Sequence, residues 1–195
     1  MIIGITGGTG CGKTSLLQCI AQLGGMVLDC DAIYHQLLEN DPALLARIEA
    51  RFPGVVHDGK LNRKVLGQIV FSDPKSLQDL NSLTHSAVKA QVLRHLEAAP
   101  ALAAIDAIGL FEGQLDALCD ITVAVTAPRE DRICRLMARD GISREYAEKR
   151  IDAQHDSDWF IQHCDYVLEN STTQDAFQNK CLAFFLDLGI MKEKT

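Results

Sequence analysis

No apolar run in this chain approaches the ~18 residues of a membrane span, and no two of its seven cysteines form a C-x-x-C pair. The first absence predicts that no membrane is engaged. The second, with an odd cysteine count, supports neither a zinc site nor a disulfide framework. Free thiols in a reducing compartment are the expectation. A basic surplus is also missing: 19 Lys and Arg stand against 26 Asp and Glu, a formal net charge of −7. That balance argues against a nucleic-acid polymer as partner. The chain opens directly on a strand-like run, which predicts no secretory leader and a cytoplasmic location. There is no internal repeat, low-complexity segment or flexible linker. What remains is ordinary for a soluble globular protein, 47% hydrophobic and 23% charged over 195 residues. One α/β domain with room for a small insertion is expected.

Against this background one stretch stands out: Gly7-Gly8-Thr9-Gly10-Cys11-Gly12-Lys13-Thr14, which reads G-x-x-x-x-G-K-T. The apolar run Met1–Thr6 precedes it, and Ser15–Ala21 follows with strong helix formers at helical spacing. Strand, loop and helix are the context in which this pattern binds a nucleoside triphosphate. Glycines let backbone N–H groups face phosphate oxygens without a Cβ in the way, and the helix adds its positive N-terminal end. The candidate nucleotide-binding residues are Gly8, Thr9, Gly10, Cys11, Gly12, Lys13, Thr14 and Ser15. Lys13 would reach the β and γ phosphates, and the Thr14 hydroxyl would ligate Mg²⁺ beside ATP.

Further strands are expected at 26–29, 101–106, 121–126 and 165–170. Helices are expected at about 32–39, 42–51, 63–71, 74–100 with a break near His85, 128–139, 143–153 and 173–188. Five short strands separated by helices predict a parallel sheet covered on both faces. Residues 40–100 offer no strand signal and read as a helical, acceptor-binding insertion, so the nucleotide core would be 1–39 and 101–195. Trp159, Phe160, Phe177, Phe184 and Phe185 are expected in the core.

Ligands in open α/β sheets lie beyond the carboxyl ends of the strands. Those ends carry Asp29 and Asp31 after the second strand, and Asp106, with Glu112 shortly after, following the third. Phosphoryl transfer needs a carboxylate to accept the incoming hydroxyl's proton, and Asp31 is the candidate. Capping the next helix is the other job for Asp29 or Asp31. Asp106 would hold Mg²⁺ through water, or cap a turn. Asp106–Gly109 matches D-x-x-G, yet no N-K-x-D guanine-reading motif accompanies it. Between 129 and 150 lie seven cations and five acids. Arg132, Arg135 and Arg139 share one helix face, which fits either a lid closing over triphosphate or a solvated, salt-bridged helix pair.

Taken together, these residues resemble the dephospho-CoA kinases. The likeness is carried by I-G-I-T-G-G-T-G-C-G-K-T at 3–14, Val27-Leu28-Asp29-Cys30-Asp31, Leu61-Asn62-Arg63, Val70-Phe71, Leu83-Thr84-His85, Arg132-x-x-Arg135-x-x-x-Arg139-Asp140, Arg150-x-x-x-Gln154 and Cys164-Asp165-Tyr166-Val167-x-x-Asn170. It departs at Cys11 (usually Ser), Ser86 (usually Pro), Ile108-Gly109 (usually Pro-Leu), Arg132 (usually Gln) and Phe160 (usually basic). The resemblance implies a P-loop kinase fold and transfer of phosphate from ATP to the ribose 3′-hydroxyl of dephospho-CoA. It makes Asp31 the base, with Arg139 and Arg135 over the transferred phosphoryl group and Asn170 near the adenine. His85 and Glu112 would lie on the acceptor side, and the chain would be a monomer or weak homo-oligomer. Sheet, loop and lid alone would equally suit a P-loop kinase for another nucleotide or small-molecule hydroxyl.

Overall fold

In the computed structural model, which describes residues 1–190, the first apolar run forms β1 (Ile2–Thr6) and the loop delivers the chain into α1 (Lys13–Gln22). After β2 (Met26–Asp29), four helices and a small hairpin follow: α2 (Cys30–Asn40), α3 (Pro42–Arg51), β3 (Val56–His57), β4 (Lys60–Leu61), α4 (Arg63–Ser72) and α5 (Pro74–Leu96). The remainder is β5 (Ala103–Asp106), β6 (Ile121–Thr126), α6 (Arg129–Asp140), α7 (Arg144–Asp152), α8 (Ser157–His163), β7 (Tyr166–Glu169) and α9 (Gln174–Asp187). Most helix starts are written in the sequence as caps. Asp29, Asp41, Asn62, Asp73, Ser143, Asp156 and Thr173 each accept a backbone N–H of the turn that follows them.

The five main strands form one parallel sheet, as expected, and their order is β2-β5-β1-β6-β7. β1 therefore lies at the centre, where its loop emerges between two neighbours. In register, Ile5 of β1 faces Asp106 of β5 and Val123 of β6. Ile3, Ile5, Leu16, Ile20, Val123, Val125, Phe177 and Phe185 are fully buried together, at roughly 1.5–3 kcal/mol for each large apolar side chain. This core fixes the strand ends from which the loop leaves.

The chain divides into two compact units. One holds residues 1–27, 99–111 and 115 onward; the other holds 28–98 with 112–114. The helical unit thus begins at Leu28 and includes α2, whereas the sequence placed its start near 40. Inside it, α2, α3 and α4 pack on the long α5.

Four expectations need correction. Residues 52–62 are not all loop: Asp58 (φ 51°) and Gly59 (φ 72°) turn the antiparallel β3–β4 pair, an Asp-Gly signal for a two-residue hairpin. α5 runs unbroken through His85, because Ser86 supplies the N–H that a proline would lack. α8 was not anticipated, since its seven residues are too few to show a period. Finally, Phe160, Phe177 and Phe185 are buried as expected, but Trp159 and Phe184 are only half-buried. The Trp159 ring stacks between His155 and His163 at centroid distances of 3.8 and 4.0 Å.

Candidate active site

The loop starts where β1 ends. Gly12 caps α1 with φ 94°, a left-handed conformation open to glycine at little cost. The loop's carbonyl groups are taken from behind by side chains. Thr9 O accepts from Arg132 Nε (2.9 Å), Gly10 O from Arg135 Nη1 (3.2 Å) and Cys11 O from Asn170 Nδ2 (2.9 Å). A trans peptide sets C=O and the next N–H on opposite sides of the chain, and no peptide here is cis among the described residues. Drawing the Thr9 and Cys11 carbonyls back therefore turns the Gly10 and Gly12 N–H groups the other way, to the face where an anion would lie. Lys13 Nζ donates to Gly7 O at 2.9 Å. Thr14 and Ser15 stand in the first turn of α1, the Thr14 side exposed.

Thr9 itself is held at both ends, because its N–H donates to Gln154 Oε1 at 2.8 Å. Arg132 Nη2 also donates to that oxygen, at 3.3 Å. Arg135 reaches Asn170 O at 3.3 Å as well, so the loop, α6 and the end of β7 are tied together. Asn170, expected near adenine by resemblance, is 6% exposed and spends its amide on Cys11 O. Burial pushes the Cys11 thiol up, although Arg132, Lys13 and Arg135 pull the other way.

The two readings of the arginine segment divide it between them. Arg132 and Arg135 turn to the loop, while the rest are salt-bridged. Arg129 pairs with Asp152 (2.6 Å), and Arg144 with Glu130 (2.6 Å) and Glu148 (3.0 Å). Arg139 (2.7 Å) and Arg150 (2.6 Å) share Asp140, whose carboxyl their hydrogen bonds hold down at about 2. Arg139, expected over the phosphoryl group, is thus engaged by its own neighbour. A cavity of about 560 Å³ lies beside these helices, lined by Arg129, Arg132, Gln154, His155 and Trp159 among others.

Asp106 ends β5 opposite Ile5, one residue short of the end of β1. Among the described residues no group of three or more His, Cys, Asp or Glu could hold a metal. A hard cation that keeps its waters and binds mainly through phosphate oxygens needs no such cage, and Thr14 and Asp106 are the expected oxygen donors for one.

In the helical unit, Asp29 does the capping, accepting Ala32 N–H at 2.9 Å. Asp31, in the same first turn of α2, is exposed and carries no such duty. His85 Nδ1 meets Glu112 O at 3.1 Å, and Lys89 Nζ, one turn on, donates to Gln114 O at 2.7 Å. Two of the expected acceptor-side residues are therefore brought together by α5. The sequence reading missed the service of Gln154 to the loop; its place just past α7, opposite Arg132, could have pointed there.

A family model described as dephospho-CoA kinase matches residues 1–175 of this chain. A dephospho-CoA kinase of Latilactobacillus sakei is 34% identical over 178 residues, covering 89% of this chain and 88% of that protein. A crystal structure from Thermus thermophilus is 33% identical with a TM-score of 0.83, covering 96% of this chain and 97% of its own. The dephospho-CoA kinase from Campylobacter jejuni is 25% identical with a TM-score of 0.68, covering 97% and 98%.

Proposed function

The chain belongs to the dephospho-CoA kinase family, and from that premise we propose that it transfers the γ-phosphoryl group of ATP to the ribose 3′-hydroxyl of dephospho-CoA. The observation that carries the reading is the braced loop, with its Thr9, Gly10 and Cys11 carbonyls all claimed from behind. That bracing supports fixed N–H donors facing a triphosphate, and preorganised donors cost no reorganisation at the moment of transfer. Lys13 leaves Gly7 O for the β and γ phosphates. Thr14 and Asp106 hold Mg²⁺, which neutralises charge on the phosphate oxygens when bound. Asp31 takes the proton of the attacking hydroxyl. Arg139, with Arg135, covers the transferred group once Arg139 exchanges the Asp140 carboxylate for phosphate. His85 and Glu112 belong to the acceptor's binding surface. The substrates are soluble small molecules, in keeping with a cytoplasmic enzyme; among the described residues no helix is long and apolar enough to cross a membrane.

The test is an acceptor screen with ATP and Mg²⁺. Dephospho-CoA should be converted to CoA with ADP formed one for one. Nucleoside monophosphates and shikimate should be turned over at least about 100-fold less well, because a site built to hydrogen-bond its substrate rejects analogues steeply. Equal rates on a nucleoside monophosphate would sink the assignment.

A further inference from the structure

The loop is braced by a cation that has no carboxylate partner in an ion pair among the described residues. Arg132 is 5% exposed, and its hydrogen bonds go to two neutral oxygens, Thr9 O and Gln154 Oε1. It takes part in no ion pair among the described residues. Asp152, the carboxylate that feels its charge, is already paired bidentately with Arg129. A buried guanidinium without a carboxylate partner is costly, and its place against the phosphate loop says which anion would repay it.

The geometry around it is specific. Thr9 N–H, Gln154 Oε1 and the Arg132 fork close a ring of three hydrogen bonds at 2.8, 3.3 and 2.9 Å. The guanidinium lies so close to the loop that a Cβ on Gly8 would clash with Nη2. Arg132 enters from the first turn of α6, and Gln154 from just past α7. The two ends of the α6–α7 segment therefore meet on one loop residue. Only a planar fork can serve Thr9 O through Nε and Gln154 through Nη2 at once; an ammonium is a single point.

We propose that Arg132 and Gln154 form a clip on Thr9 that positions the phosphate loop for transfer, and that the bound triphosphate supplies the counter-charge Arg132 otherwise lacks. The inference rests on the proposed kinase reading. Both are positioning residues: they act through the loop and not on the reacting atoms.

Geometry and charge can be separated by two substitutions that preserve size. Arg132→Lys keeps the charge and loses the fork. Gln154→Glu keeps both acceptor contacts and gives the guanidinium a carboxylate. For Arg132→Lys, kcat should fall about 10- to 100-fold, the scale of an ångström's misplacement, with ADP affinity by calorimetry within about twofold of wild type. Gln154→Glu should weaken ADP about five- to tenfold, as expected when a nearby charge is neutralised, with a smaller loss of kcat than Arg132→Lys. Turnover by Arg132→Lys within twofold of wild type would overturn the clip. So would equal losses of kcat and ADP affinity in both variants, in step with a lowered Tm, since that is what a merely structural role predicts. If wild type itself left dephospho-CoA unphosphorylated, the kinase reading would fail instead, and the ADP affinities, measured without any acceptor, would still decide whether bound phosphate answers the charge of Arg132. An unchanged ADP affinity in Gln154→Glu would overturn that part.

Discussion

Asp29 and Asp31 stand two residues apart and do different work. Asp29 spends its carboxylate on the Ala32 N–H, as N-cap of α2, which frees the neighbouring side chain. Asp31 is the proposed base on that ground as well as by family. Replacing it with asparagine keeps shape and polarity but removes the proton acceptor. Turnover of Asp31→Asn should fall by about 10²–10⁴, the range of general acid–base catalysis, while ADP binds as to wild type. Normal turnover in a steady-state assay would remove Asp31 from that role. At this scale the sequence assigns a role where a residue's chemistry is its own, as proposed for Lys13 and Thr14. It was mute where a role depends on what lies behind the loop. Nothing in the letters of Asn170 or Gln154 says that one amide will grip Cys11 O and the other Thr9 N–H; only the folded sheet brings residues 11 and 170 together.

Helices α6 and α7 are joined by an apolar seam and, at its edge, by one carboxylate. Ile133, Leu136, Ala147 and Ile151 form a small buried cluster, and at its edge Asp140 takes hydrogen bonds from Arg139 and Arg150. Those bonds lower the Asp140 carboxyl to about 2, from an ordinary 3.8. A pKa depressed by folding means a contribution present above the unfolded value and lost as pH falls from about 4 towards 2. The pair is therefore intact throughout the range in which a kinase is assayed. Asp140→Asn should lower the urea midpoint by the same amount at pH 8 and pH 6, and the gap should narrow only below about pH 4. A gap that closed near neutrality would show that another group controls this contact. Elements of this kind were legible from capping residues and apolar period, which is why α3, α6, α7 and α9 matched to within a residue or two. The β3–β4 hairpin and α8 showed no period, because two-residue strands and a seven-residue helix carry too few positions to establish one; for the hairpin only Asp58-Gly59 gave a signal.

The proposed donor machinery and the proposed acceptor residues fall into different units of the molecule. The loop, α1, α6, Gln154 and Asn170 lie in one; Asp31, His85 and Glu112 lie in the other. Segment 112–114 joins the helical unit although the residues on either side belong to the sheet unit, and its links to α5 are His85–Glu112 and Lys89–Gln114. Each unit has its own buried centre, so each should answer to its own ligand. At 100 times its Kd, a ligand stabilises the state it binds by about 2.7 kcal/mol. That is about 100-fold slower exchange for amides released only when the unit opens. With ADP alone, hydrogen exchange should slow in peptides covering 7–22 and 129–154, leaving 30–51 and 74–96 close to the free protein. With dephospho-CoA alone, the order should reverse, and the peptide holding Glu112–Gln114 should follow α5 and not its sequence neighbours. That segment makes the sharpest test: if 112–114 were protected by ADP and untouched by the acceptor, neither Glu112 nor His85 could belong to the acceptor's surface, and Asp31 would stand there without the partners assigned to it.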